Sequence, residues 1–210
     1  MTSTAANGSR LIRLRAGEDL LIRPITAEDA AELMAGFRRL SVRSRYQRFF
    51  TAAPKLRARE VAYLTQIDHH NHEALVAIVP ATGDIVGVAC FFRSPTDPGS
   101  AEIALAIADW WQGRGLGSEL LRHLVYRARE EKITRFTADL LTDNRAMLAL
   151  IRQIGVVDTT VDGVTITATV STEPSTSAGR TTAARYPESW TRDGDVESDD
   201  DDRGHRSERG

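Results

Sequence analysis

Between Ser100 and Glu131 the chain places a carboxylate at the head of an apolar run, a glycine-rich turn and the start of an amphipathic segment one after another. The carboxylate is Glu102, followed by six apolar residues to Ala108, and it shares a face with Ala104, Ala106 and Ala108 if the run is extended. Those small side chains leave room beside a strand. A carboxylate among apolar neighbours is expected to have a raised pKa, which suits a general base. On spacing alone, a strand-end glutamate paired with an arginine is served equally well. The turn is Gln112-Gly113-Arg114-Gly115-Leu116-Gly117. Behind it Leu116, Leu120, Leu121, Leu124, Val125 and Ala128 recur at helical spacing. A strand therefore feeds through glycines into a helix N-terminus, where N–H groups are unpaired and the dipole is positive. Glycines let a ligand approach that backbone closely, so the chemistry offered is a phosphate cradle.

The flanking chain supplies the elements that must hold these groups. Leu20 to Pro24 reads as a first strand, preceded by a short hairpin partner, and Thr26 with Asp29 opens a helix bearing Ala30, Leu33, Met34 and Phe37. Leu40 to Phe50 reads as a short amphipathic helix with Tyr46, Phe49 and Phe50 packed. Lys55 to Ile67 reads as another helix. Ala74–Pro80 and Ile85–Arg93 form a hairpin. Phe136, Ala138 and Leu140 alternate in a strand that a crossover helix makes parallel to the Glu102 strand. Thr142-Asp143-Asn144 starts a helix closed by Gly155, and Val156–Val170 forms two strands around Asp162-Gly163. The expectation is an α/β fold, a mixed central sheet flanked by helices.

Three readings compete for the turn. It could be a tight strand–helix connection with no ligand. It could be a dinucleotide fingerprint with Asp139 downstream, but Ser118 and Leu120 stand where the third glycine is needed. The third rests on likeness. Gln112-x-x-Gly115-x-Gly117 resembles the Q/R-x-x-G-x-G/A signature of the GNAT acetyltransferases, and the strand before and helix after it agree. LTDNRAMLALIRQIG, from Leu141 to Gly155, resembles that family's D/E-N-x-x-M segment. The segment LS-x-x-SRY-x-RFF from Leu40 resembles the Pat-type protein lysine acetyltransferases within it.

The resemblance implies acetyl-CoA as co-substrate and no metal. The backbone of Gly113, Arg114, Gly115, Leu116 and Gly117, with Gln112 of the signature, would face its pyrophosphate. Ile107 would pair with the pantetheine arm, and Asn144 would contact that arm. It also favours Glu102 as the catalytic base. The acceptor it implies is a protein lysine, with acyl-CoA synthetases as the branch's targets. A small-molecule amine acceptor and a non-catalytic CoA-sensing module are the alternatives. Many members carry a tyrosine after the asparagine as general acid. Asn144 to Ile151 holds none, which leaves that role open.

Composition bounds the rest. The 210 residues are 41% hydrophobic and 27% charged with net charge −2, which argues against general affinity for nucleic acid or membrane. A single cysteine, Cys90, and no apolar run long enough to span a bilayer lead to the expectation of a cytoplasmic protein. Asp68-His69-His70-Asn71-His72 reads as a solvated loop, because adjacent side chains rarely converge on one ion. From Ser171 onward ten acidic residues stand against six arginines, giving −4 in a stretch poor in apolar residues. The expected division is a flexible segment 1–18, an acetyltransferase domain 19–170 and a disordered acidic tail 171–210.

Overall fold

The computed structural model describes residues 4–5, 8–51 and 55–173. Its strands are β1 (Thr4–Ala5), β2 (Ser9–Arg13), β3 (Asp19–Pro24), β4 (His72–Ile78), β5 (Ile85–Arg93), β6 (Ser100–Ile107), β7 (Arg135–Leu141), β8 (Val157–Asp162) and β9 (Thr165–Ser171). The helices are α1 (Ala30–Arg39), α2 (Val42–Phe49), α3 (Ala58–Thr65), α4 (Leu116–Glu130) and α5 (Arg145–Ile151). The strands form one sheet in the order β1-β2-β3-β4-β5-β6-β7-β9-β8, antiparallel except for β6 and β7. This is the expected mixed α/β architecture.

The sheet begins earlier than the boundary at residue 19, because Ser9–Arg13 pairs with β3. It also holds the chain beyond residue 170. Thr172 Oγ1 donates to the carbonyl of Ile133 at 2.7 Å, and Arg129 Nε donates to the carbonyl of Thr172 at 2.6 Å. Most of the acidic tail lies outside the described residues.

Alternation along the strands sorts the core onto two faces. Leu75, Ala77, Ala89, Phe91, Ala101 and Ile103 pack with α4 and α5, while Ala74, Val76, Cys90 and Ala104 pack with α1 and α3. All seven residues of β4 are buried, as expected for a strand covered on both sides. The helix over Val42–Phe49 differs from expectation: it buries none of its residues, and Val42, Tyr46 and Phe50 are exposed. Phe49 alone of the expected three turns inward, edge-on to Phe37 with ring centroids 5.5 Å apart.

Asp68–Asn71 is a loop with Asp68, His70 and Asn71 exposed, as expected, while His72 opens β4 and is buried. Asp68 accepts from the N–H groups of His70, Asn71 and His72, which folds the segment back on itself. His69 Nδ1 lies 2.8 Å from the buried carboxylate of Glu73, and His70 pairs with Glu131 at the end of α4. His72 is buried beside the rings of Phe92 and Tyr63, at centroid distances of 4.1 and 5.3 Å. Among the described residues no His, Cys, Asp and Glu cluster is arranged to hold a metal ion.

Burial holds the His72 imidazole down at about 4. The unfolded chain takes up this proton near 6.5, so below that pH it binds more protons than the native state. Stability is therefore expected to fall as pH drops from 6.5 towards 4. At pH 5 the His72 contribution is about 2 kcal/mol. His72→Phe should show a smaller loss of unfolding free energy between pH 7 and pH 5 than the parent protein, measured by urea titration. An equal loss in both proteins would place the proton elsewhere.

Candidate active site

The site follows from one departure in the sheet. β6 pairs with β5 along its whole length, from Ala101 to Ile107, but with β7 only at Ser100, Ala101 and Glu102. Beyond Glu102 the two parallel strands part. The N–H of Ala108 donates to the carbonyl of Val86, so alternation turns the even residues of β6 towards β5. The N–H and C=O groups of Leu105 and Ile107 therefore face the opening. A groove of about 410 Å³ lies there, lined by Glu102 to Ile107, the glycine turn, Asn144 and residues of α2 and α5.

At one end of the groove stands the turn. Gly113 and Gly115 have φ of +71° and +92°, values that favour glycine, and a Cβ on either would meet nothing within 4 Å. Gly115 is the N-cap of α4 and no side chain caps this helix. The first-turn N–H groups of Leu116, Gly117 and Ser118 are thus left for an anion, at the positive end of a fifteen-residue helix.

Gly117 also has a packing role. A Cβ there would lie 3.0 Å from Leu150 Cδ1 and 3.4 Å from Leu105 Cδ2, both residues of the groove wall. It permits helix–helix and helix–strand contact, so a glutamate there would disturb the fold as well as any binding. Gly117→Ala is expected to lose about 1–3 kcal/mol in unfolding free energy by overpacking. A thermal melt matching the parent protein would show that Leu150 yields without cost.

The other expected residues are brought to the same end, with varied local duties. Gln112 Nε2 donates to the carbonyl of Ile107 at 3.0 Å and to Ser44 Oγ at 3.1 Å. The Ile107 carbonyl is thereby engaged, leaving its N–H for a ligand. Asn144 lines the groove, but its Oδ1 caps α5 by accepting from the N–H of Met147 at 3.1 Å. Leu116 is fully buried and contributes only backbone. The Arg114 side chain does not line the groove. It pairs with Glu18 across the β2–β3 turn and lies 5.5 Å from the centre of the Trp111 ring.

Glu102 sits where β6 and β7 part, on the face covered by α2. It is exposed, so the apolar enclosure expected for it is absent. It lines the groove on the side of α2, a helix that buries none of its own residues, so no apolar cover closes over it. Among the described residues the groove is lined by two carboxylates, Glu102 and Asp139. Asp139 accepts from Thr167 Oγ1 at 2.7 Å, whereas Glu102 has no hydrogen-bond or ion-pair partner among the described residues.

A link not foreseen from the sequence joins the two sides of the groove. Asp109, just past β6, accepts from the N–H and hydroxyl of Ser41 at 2.8 and 2.7 Å and from Ser44 Oγ at 2.8 Å. Burial opposes its charge, but the Ser41 and Ser44 bonds outweigh this and hold the carboxyl below the usual carboxylate range. With Gln112 also bonded to Ser44, the start of α2 is fastened to the glycine turn. The only hint in the sequence was an Asp beside a turn, with its serine partners 65 and 68 residues away.

Comparison with known proteins agrees with this geometry. The family profile described as "Acetyltransferase (GNAT) family" matches residues 37–156. "Acetyltransferase Pat" of Mycolicibacterium smegmatis is 32% identical over 146 residues, 70% of this chain and 44% of that protein. "Acetyltransferase PA5475" of Pseudomonas aeruginosa is 32% identical over 143 residues, 67% of this chain and 76% of that one. The chain thus spans less than half the length of the mycobacterial relative. Among solved structures, the GNAT domain of S. lividans PAT superposes with a TM-score of 0.71 at 28% identity, covering 80% of this chain and 99% of that one.

Proposed function

Because this chain belongs to the GNAT acetyltransferase family, we propose that it transfers an acetyl group from acetyl-CoA to the side-chain amine of a protein lysine, with Glu102 as general base. Family membership makes it an acyl-CoA-dependent N-acyltransferase. The observation that carries the finer reading is the position of Glu102, a carboxylate with no ion-pair partner among the described residues, at the head of a groove whose other end is a helix N-terminus without a side-chain cap.

The residues present fit acetyl-CoA. The pyrophosphate is held by the N–H groups of Gly113 to Gly117, and the pantetheine chain lies along Leu105 and Ile107, taking the hydrogen bonds that β7 leaves unmade. Asn144 contacts that chain with the amide N–H2 that capping leaves unused. A lysine ammonium, with a reference pKa near 10.4, is a free amine in only about one molecule in a few thousand at pH 7. Glu102 takes the proton as the amine attacks the thioester carbonyl. The C–N bond forms, the C–S bond breaks, and the thiolate takes its proton from water, since no tyrosine lines the groove among the described residues. The protein acceptor is supported by the resemblance of the Leu40–Phe50 segment to the Pat-type enzymes, and the likeness to "Acetyltransferase Pat" accords with it. An acyl-CoA synthetase in the cytoplasm is the class of partner this reading favours. A buried free cysteine and the lack, among described residues, of a helix fit to cross a membrane accord with that location.

The test is acetyl-CoA turnover against a panel of lysine-bearing proteins, acyl-CoA synthetases included, alongside polyamines and free amino acids. Protein acetylation at lysine is expected. Turnover of small amines alone would make this a small-molecule N-acetyltransferase. Binding of acetyl-CoA with no turnover of any amine would make it a sensing module.

A further inference from the structure

A second cavity adjoins the groove on the side of α1, α2 and α3, with a volume of about 80 Å³. The two share Leu40, Arg48, Ala104 and Ala106 as common walls. We infer that this cavity is an acyl-chain pocket, so that the enzyme accepts acyl-CoA donors longer than acetyl, with butyryl as the length that fits. This rests on the proposal that the groove holds the CoA thioester.

Several observations point to a hydrocarbon occupant continuous with the thioester. Apart from Arg48 and the Cys90 thiol, every lining side chain is hydrocarbon or the residue is glycine. An ammonium would find no acceptor there to replace water, at a cost of several kcal/mol. The one charged group of the wall is Arg48, whose guanidinium lies 4.9 Å from the Phe49 ring centre and 4.0 Å from Cys90 Sγ. Between the cavity and the groove stand the methyl side chains of Ala104 and Ala106, on the same face of β6 as Glu102. A chain attached to a carbonyl near Ala104 can therefore pass into the cavity without displacing a large side chain. A water-sized group occupies roughly 30 Å³, so the space holds two or three such groups. Butyryl has two methylenes more than acetyl.

The test is a donor series of acetyl-, propionyl-, butyryl- and succinyl-CoA, read by calorimetric binding and by kcat/KM with one acceptor. Each methylene buried is worth up to about fourfold in affinity. Butyryl-CoA is expected to bind more tightly than acetyl-CoA, by up to about fifteenfold. Val88 lines the cavity but not the groove and stands opposite Ala106. Val88→Phe should cut butyryl-CoA binding and kcat/KM about tenfold or more, leaving acetyl-CoA within about twofold. If that variant fails to fold, Val88→Leu gives the same contrast at smaller amplitude, and the series on the parent protein stands alone. Acetyl-CoA binding with butyryl-CoA rejected more than tenfold would overturn the pocket while leaving the functional proposal intact. So would equal losses for both donors in Val88→Phe. A preference for succinyl-CoA would overturn it in favour of a carboxylate held by Arg48. If no acyl-CoA binds, the functional proposal itself fails and the pocket with it.

Discussion

Glu102→Gln is expected to lower acetyl transfer by about 10²–10⁴-fold at neutral pH while leaving acetyl-CoA affinity within a few-fold of the parent value. The substitution keeps the size and removes the basicity. It should leave binding alone because the cofactor's charged groups are assigned to the glycine turn, at the opposite end of the groove from Glu102. It should also leave the fold alone, since Glu102 is exposed and has no partner among the described residues. Activity should recover in part as pH rises and free amine accumulates. Steady-state rates across a pH series, with calorimetric binding alongside, check each part. Parent-like turnover at pH 7 would assign the proton to a water or to Asp139.

The second large effect lies away from the groove. Arg127→Met is expected to cost about 3–5 kcal/mol of stability, a fall in melting midpoint of roughly 10 °C or more for a domain of this size. The Glu73 side chain is 1% exposed. Its oxygens are served by Arg127 Nε at 3.0 Å, His69 Nδ1 at 2.8 Å and the N–H of Ala74 at 3.0 Å. Without the guanidinium, a carboxylate stays buried on β4 with one imidazole and one amide. Arg127 also meets Glu130, and Arg93 donates to the Glu131 carbonyl, so this cluster fastens the end of α4 to β4 and β5. Removing both charges, as Glu73→Leu with Arg127→Leu, should restore much of the loss, because no uncompensated ion remains. Chemical unfolding of the two singles and the double gives the coupling. A loss under 1 kcal/mol for Arg127→Met would mean that water reaches Glu73.

What could be read from the sequence was whatever a short window contains. The alternation of β6, the apolar stripe of α4 and the Asp162-Gly163 hairpin turn depend on neighbours within a few positions, and the nine-stranded sheet follows from such elements. The site is less local. Gly113 and Gly115 carry their meaning in their own φ angles, whereas Gly117 acquires its role from Leu150, 33 positions on. The exposure of Glu102 depends on how α2 lies over the sheet, which no property of β6 alone encodes. Asp109 gave no sign in the sequence of its bonds to Ser41 and Ser44, 68 and 65 residues away. Within the histidine run, the pairing of the exposed His70 with Glu131, 61 residues later, could not be seen.

The parting of β6 from β7 also bears on solubility. Backbone left unpaired along a strand normally invites another chain to pair with it, and proteins guard such edges with charge, proline or a covering element. Here the unpaired stretch, Leu105 to Ile107, is not at the rim of the sheet. It has β5 on one side and β7 on the other, with residues of α2 and α5 lining the gap between. A polypeptide strand carries side chains on both its faces and would collide with those helices. A slender chain ending in an amide-bearing arm would not. An edge placed in this way can serve a thin ligand while a neighbouring strand is kept from pairing along it.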